Sequence, residues 1–500
     1  MNNFMTMKYL KHYGIAILLL FTILKAESQE LRILTFDDVI KLSEEQSPNA
    51  LMAKHRFRAS YWEHRSFVAN YLPSLTLSGN TPGLNNSYNR VWSDREEGYI
   101  YSASNTIENI GTLSLQQNIG LTGGSIALQS ELTQSYDIEK SKREFVTTPV
   151  SIALTQPIFG YNSLKWQKKT EPLKFERAKK TFLSEIENVH RQATQNFFAL
   201  ALAQMNKQIA EMNYANADTL FGIARGRYNL GTIAEDELLQ MQLSWLNAET
   251  DRKSAEMNLR DREIRMRSFL GFNDNVRLEL ILPTQVPELQ VSSQEVFDFA
   301  MQNNPEILNQ ELTILNAESA VARARADRWN ANLTASFGLR GRAVDFPDAY
   351  TYKDLGEQQR VNVRLSVPIL DWGQGRGRYR MAQSSLELAQ VQSNQAITDF
   401  QQNLLLDVEQ FNLQSSQVAT AALSDTVAAK MFEVTKQRFL IGKISVLELN
   451  NADTRKDTNR RAYVQELQNY WNYYFIIRSL TLYDFINRKP LDTDYDRLMD

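Results

Sequence analysis

The chain contains no cysteine, which excludes a disulfide framework, a thiolate nucleophile and any cysteine-ligated metal. Histidine is scarce: His12, His55, His64 and His190 do not cluster, and the spacing of His55 and His64 does not fit two ligands on one helical turn. No metal site is expected. With 55 basic and 58 acidic side chains, the formal net charge of -3 offers no basic field for nucleic acid. Long apolar runs are missing too. Beyond Ala26 nothing approaches the roughly 20 apolar residues of a helical span, so a membrane location would have to rest on β-strands. No Ser, His and Asp arrangement and no paired-carboxylate motif can be assembled, so neither an enzyme nor a cofactor is expected.

What is present begins with a secretory leader. Lys8, Lys11 and His12 precede an apolar run from Gly14 to Leu24, and Ala26 and Ser28 are small residues suited to cleavage. Residues 1–28 are read as the signal peptide, with the mature chain starting near Gln29 and no cysteine there for lipid attachment.

The remainder repeats itself. Leu-Thr-Gln-Pro157-Ile-Phe has its counterpart in Leu-Ser-Val-Pro368-Ile-Leu, an offset of 211. The same offset carries Arg227-Tyr228-Asn229-Leu230-Gly231 onto Arg438-Phe439-Leu440-Ile441-Gly442, and Glu237 onto Glu448. Upstream, Ser47-Pro48 matches Asn304-Pro305 at an offset of 257, so the first copy carries about 46 extra residues between Pro48 and Pro157. The expected organisation is a tandem duplication: repeat 1 over 29–270, a linker over 271–290, repeat 2 over 291–485 and a tail over 486–500.

Within each copy two periodicities alternate. Strands are expected at 333–340 and 361–368, where apolar and polar residues alternate with period two. Helical hairpins are expected over 163–270 and 375–485. Ile397, Phe400, Leu404, Val408 and Phe411 recur at three and four, a narrow seam of coiled-coil type. A helix of roughly 60 residues would be about 90 Å long. The extra residues read as a hairpin over 112–136 about Gly120-Leu121-Thr122-Gly123-Gly124, flanked by polar loops at 81–111 and 137–148. That hairpin is either a strand pair added to a sheet or an external one standing clear of it. Gly373-Gln374-Gly375-Arg376-Gly377 lacks the glycine spacing and lysine of a phosphate loop and reads as a strand-to-helix junction with Asp371 as its cap. Tyr470, Trp471, Tyr473, Tyr474 and Phe475 are read as helix packing in preference to an interfacial belt.

These features resemble the outer membrane efflux protein family, the TolC-like channels, over about 34–485. The likeness lies in the duplicated helix, strand and hairpin order, in the junctions at Pro157 and Pro368, and in the tips, where Tyr228-x-x-Gly231 and Phe439-x-x-Gly442 are each followed by a glutamate, Glu237 and Glu448. The resemblance implies an α+β membrane protein: a homotrimeric outer-membrane β-barrel continuing into a long periplasmic α-helical coiled-coil barrel. It further implies a passive exit duct of a tripartite efflux or type I secretion system in a Gram-negative bacterium. Its partners would be outer-membrane lipid, a periplasmic adaptor (membrane fusion) protein meeting the tips at Arg227, Tyr228, Gly231, Arg438, Phe439 and Gly442, and an inner-membrane pump of RND or ABC type. A periplasmic or secreted coiled-coil scaffold without a pore is the alternative. Four strands per chain would make a barrel of twelve and the extra pair one of eighteen; the resemblance favours twelve.

The resemblance also points to a periplasmic gate. Family members carry two acidic residues three apart on the second hairpin, with an arginine nearby. Here the first position is Glu448, the second is Asn451, and Ile444 replaces the arginine with Lys443 beside it. One acidic ring remains where the family has two, and Glu237 is the corresponding candidate on the first hairpin. A solvated helix carboxylate is the other reading of Glu448.

Overall fold

The computed structural model describes residues 30–272, 276–283, 285–351, 355–441, 443–444 and 446–499. The expected leader and Gly442 lie outside the described residues. The chain divides into two units, one from the described residues of 1–56, 180–304 and 401–500, the other from 57–179 and 305–400.

Helix lengths recur in order along the chain. α1 (Phe36–Gln46) has 11 residues, α2 (Pro48–Ala69) 22, α3 (Ser163–Asn229) 67 and α4 (Glu235–Leu270) 36. The same four lengths return in α5 (Ser293–Asn303), α6 (Pro305–Ala326), α7 (Gln374–Leu440) and α8 (Val446–Thr481). Pro172 stands inside α3, within the stretch expected from sequence as a helical hairpin over 163–270. Having no N–H, it leaves the Lys168 carbonyl without its usual donor, yet the helix continues on both sides. The main strands are β1 (Glu30–Thr35), β2 (Ser74–Ser93), β3 (Gly98–Ile119), β4 (Gly124–Asp137), β5 (Lys142–Pro157), β6 (Val276–Ile281), β7 (Asn330–Ala343) and β8 (Gly356–Ser366).

In the first unit β1 and β6 pair in parallel, from Glu30 opposite Val276 to Thr35 opposite Ile281. Thr35 then starts α1 with a capping box, its hydroxyl accepting from the Asp38 N–H while the Asp38 carboxylate accepts from the Thr35 N–H. The α7 seam is buried at Leu404, Val408 and Phe411 and half-buried at Ile397 and Phe400. Phe36 packs on Phe197, Phe198 and Trp471, and Phe411 on Tyr470 and Tyr474. Tyr470 is fully buried and donates to the Pro287 carbonyl at 2.7 Å, so the aromatic run of α8 is helix packing.

An ionic cluster lies in this unit, buried except at Glu44 and, in part, at Arg478. Arg478 reaches Glu187 at 2.9 Å and Asp484 at 3.5 Å, and Tyr474 donates to Asp484 at 2.7 Å. His190 sits between Glu187 at 3.4 Å and Glu44 at 3.5 Å. Burial pulls the His190 pKa down, but the two carboxylates outweigh it and the value is raised above the ordinary one. The charged imidazole therefore contributes stability that is full below about pH 6.5 and is lost as pH rises through the raised value. His190→Gln is expected to cost about 1–2 kcal/mol near pH 6 and less near pH 9. Unfolding followed by circular dichroism at both pH values checks this, and equal losses would refute it.

The second unit holds a six-stranded antiparallel sheet in the order β2-β3-β4-β5-β7-β8. The stretches expected as polar loops are corrected: 81–111 belongs almost wholly to β2 and β3, and 142–148 to β5. Of the two readings of the extra hairpin, the structure has β3 and β4 inside the sheet. Their turn lies at the end where strands meet helices. Gly123 takes φ of 76°, and Asn162, just before α3, donates to the Gly120 and Leu121 carbonyls at 3.2 Å while accepting from the Lys165 N–H at 2.9 Å. Gln117 and Asn118 donate to the Tyr71 and Asn70 carbonyls beyond α2. At the opposite end the β2 to β3 ribbon, Asn86–Ser93 against Gly98–Asn105, continues past the last β3 to β4 pair.

Candidate functional site

Residues directly opposite in a sheet share a face, so the strand register sorts the side chains. One row runs Leu75, Leu115, Leu128, Ile152 and Phe337, from β2 to β7, and its members are 40–67% exposed. Val361, Val363 and Leu365 extend this face onto β8, paired with Ala335, Leu333 and Ala331. The adjacent row on the other face runs Thr76, Ser114, Gln129, Ser151, Gly338 and Gln358. A water-soluble sandwich would bury its apolar face under a second layer. Leu77 and Val361 stay 78% and 73% exposed instead. Among the described residues the two edge strands, β2 and β8, each have one neighbour, so two sheet edges stand open.

The strand-to-helix junctions and the hairpin tips hold the remaining positions singled out from sequence. Pro157 closes β5, and Pro368 follows β8 by two residues. Asp371 accepts from the Gly373 and Gly375 N–H groups at 2.9 and 2.8 Å and so caps α7; these bonds hold its carboxyl below the ordinary value. At the first tip Gly231 adopts φ of 67° and donates to the Tyr228 carbonyl at 2.9 Å, while the Thr232 N–H bonds the Arg227 carbonyl at 3.0 Å. This pair of bonds is a Schellman motif, which satisfies the last carbonyls of α3. The second tip keeps the longer bond, Lys443 N–H to Arg438 carbonyl at 3.0 Å. Arg227 and Arg438 thus build the turns through their backbones. Tyr228 is 40% exposed, whereas Phe439 is half-buried and lines a cleft of about 670 Å³ with Phe432, Lys436, Leu449 and Asp453. Lys443, Glu448, Asn451 and Glu237 are all exposed. Glu237 and Glu448 fall in the first turns of α4 and α8, where the helix dipole favours negative charge in its own right.

Residues 39–272 and 296–474 match the family model described as outer membrane efflux protein. The chain belongs to the outer membrane efflux protein family. Solved structures similar to it include the Campylobacter jejuni CmeC outer membrane channel, at 14% identity over 92% of this chain and 88% of that one, with a TM-score of 0.65. The Vibrio cholerae outer membrane protein VceC matches at 12% identity over 91% and 97%, with a TM-score of 0.60. The Neisseria gonorrhoeae MtrE outer membrane channel, in its open state, matches at 14% identity over 92% and 91%, with a TM-score of 0.51. No curated protein matches. At these identities the structures establish the fold, a mixed helix-and-sheet channel fold, and the family establishes an outer-membrane efflux protein with a periplasmic extension.

In this efflux protein the two hairpins are tied together by polar contacts that the sequence reading missed. Asn213 of α3 donates to Asp457 of α8 at 3.2 Å, and Arg461 of α8 donates to Asn206 of α3 at 2.8 Å. Lys456 bridges Asp453 and Asp457 at 2.6 and 3.4 Å and lies over the Phe432 ring. The sequence signal was there: Asp453, Lys456 and Asp457 share one helix face at spacings of three and four. On a long wet helix that spacing is ordinary, and nothing in it names the partner on α3.

Proposed function

We propose that three copies of this efflux protein close into one β-barrel and act as the passive exit duct of a tripartite system, efflux or type I secretion. The carrying observation is the exposed apolar face of a sheet with two open edges. Open edges are not tolerated in lipid, and β8 of one copy against β2 of the next removes them without further chain. Six strands per chain then make eighteen, in place of the twelve favoured from sequence. Barrels of that size enclose an aqueous channel. The polar face, with Gln129, Ser151 and Gln358, lines it.

The equal helix lengths in the two halves support a tandem duplication as the origin of the paired hairpins. The exposed Tyr228 tip is offered to a periplasmic adaptor, which couples the duct to an inner-membrane pump of RND or ABC type. Solutes cross by diffusion or by the push of that pump. Three Glu448 side chains about a threefold axis would form an acidic ring favouring cations. Detergent-purified protein is expected to run as a trimer and to give discrete conductance steps in planar bilayers; folded trimers without conductance would overturn the duct. Glu448→Gln is expected to reduce cation preference and block by divalent cations severalfold. An unchanged channel would remove Glu448 from the lining.

A further inference from the structure

The junction between sheet and helices carries charge that its local structure does not explain. α3 opens with Lys165, Lys168 and Lys169, and α7 with Arg376, Arg378 and Arg380, all exposed. Neither helix has an acidic residue in its first turn, whereas α1, α4, α5, α6 and α8 all do. Lys165 and Arg376, in the first turns, oppose the dipole, so helix stability does not account for them; the other four follow within the next turn, with Lys169 over the Trp166 ring. None of the six has a carboxylate within ion-pair distance among the described residues. The acids close in sequence are engaged elsewhere: Glu171 holds Lys174 at 2.7 Å and Asp371 caps α7. α6 arrives at the same junction with Arg323 and Arg325 in its last turn, where the dipole favours cations, and Arg328 just beyond; Arg323, Arg328 and Arg378 share a cleft with Asp327, and Arg325 and Arg328 share a hollow with Glu318.

Apolar and aromatic side chains stand among these cations. Phe159 is 66% exposed, Trp329 58%, Leu370 71% and Trp372 90%. Phe159, Trp329 and Arg325 line one hollow with Tyr379. An aromatic ring beside a basic one is the composition of a membrane–water interface, where rings sit at headgroup depth and lysine and arginine meet phosphates. Phe159, Trp329 and Leu370 flank the ends of β5, β7 and β8, so the collar borders the sheet whose apolar face is proposed to meet lipid.

We infer that this collar binds the anionic phospholipid headgroups of the periplasmic leaflet, gripping the membrane where the barrel gives way to helices. The inference rests on the proposed membrane-spanning trimer. Both halves of the chain contribute, since Lys165 and Lys169 correspond to Arg376 and Arg380 at the offset of 211.

The test compares the wild-type trimer with a variant in which Lys165, Lys168, Lys169, Arg376, Arg378 and Arg380 are all replaced by glutamine. Native mass spectrometry from mixed phosphatidylglycerol and phosphatidylcholine reads retained lipid, and planar-bilayer conductance is recorded alongside. Wild type is expected to retain phosphatidylglycerol about tenfold over phosphatidylcholine, the variant to lose that preference, and both to conduct. A control with the three arginines replaced by lysine is expected to keep the preference, which covers the case of a misfolded glutamine variant. Wild-type retention without headgroup preference would overturn the collar while leaving the channel standing. So would full competition by inorganic phosphate, or a variant whose only change is ion selectivity, since those cations would then line the duct. Failure of wild type to insert into either bilayer would overturn the channel and the collar together.

Discussion

Arginine at Leu128 is expected to cost about 2–4 kcal/mol of folding stability in a bilayer and to deplete assembled protein from the outer membrane, whereas arginine at the neighbouring Gln129 is tolerated. Leu128 lies between Leu115 and Ile152 in the apolar row, and Gln129 lies between Ser114 and Ser151 in the polar one. The two substitutions are adjacent in sequence and equal in charge, so helix content, export and solubility cannot separate them. Only the solvent on each side of β4 can. On the lipid side the guanidinium has no partner and is driven to distort the bilayer or leave it. On the channel side it meets water. Urea titration in phospholipid vesicles gives the free energies, and heat-modifiable migration from membrane fractions gives the assembled amount. Equal effects at the two positions would show that the sheet does not divide lipid from water.

Arg478→Ala is expected to cost about 3–5 kcal/mol, the range for removing one member of a buried ion pair. The guanidinium serves Glu187, whose side chain is 3% exposed, and Asp484, at 5%. Its removal takes the guanidinium from both carboxylates, leaving Glu187 to His190 and Asp484 to the Tyr474 hydroxyl and Asn487. The loss should be partly recovered by adding Glu187→Gln, because an amide leaves no uncompensated charge. Denaturant midpoints of the purified protein measure both. A single substitution costing under about 1 kcal/mol would mean that water or rearrangement already screens the cluster.

The two predictions differ in how far sequence alone leads to them. The apolar face of β8 is visible as alternation in Val361, Val363 and Leu365, and the long helices are visible as long stretches of helical periodicity, although Pro172 and Gly222 stand inside α3. The outer parts of β2 and β3 escaped notice because both faces there mix Asn and Ser with Tyr88, Val91, Trp92 and Ile100, so no face stands out as apolar. β1 is short, and its partner β6 lies far along the chain. The ionic cluster was invisible for the same reason: Glu187 and Arg478 are 291 residues apart, and each alone is an unremarked charge on a long helix. At the tips, the glycine of the first turn was legible because only a residue without Cβ takes φ of 67° readily. The ties from Asn213 to Asp457 and from Arg461 to Asn206 were not, since amides on a wet helix carry no pattern.

Six strands beside four helices in the sheet-bearing unit bear on the perimeter of the proposed trimer. In a trimer, twelve helices spaced about 9 Å apart make a wall about 110 Å around. Twelve strands about 4.8 Å apart and tilted by about 40° would close at only about 75 Å, whereas eighteen close at about 110 Å. In the proposed trimer sheet and helix walls would then have equal girth, and a solute moving outward is expected to meet no narrowing where one gives way to the other.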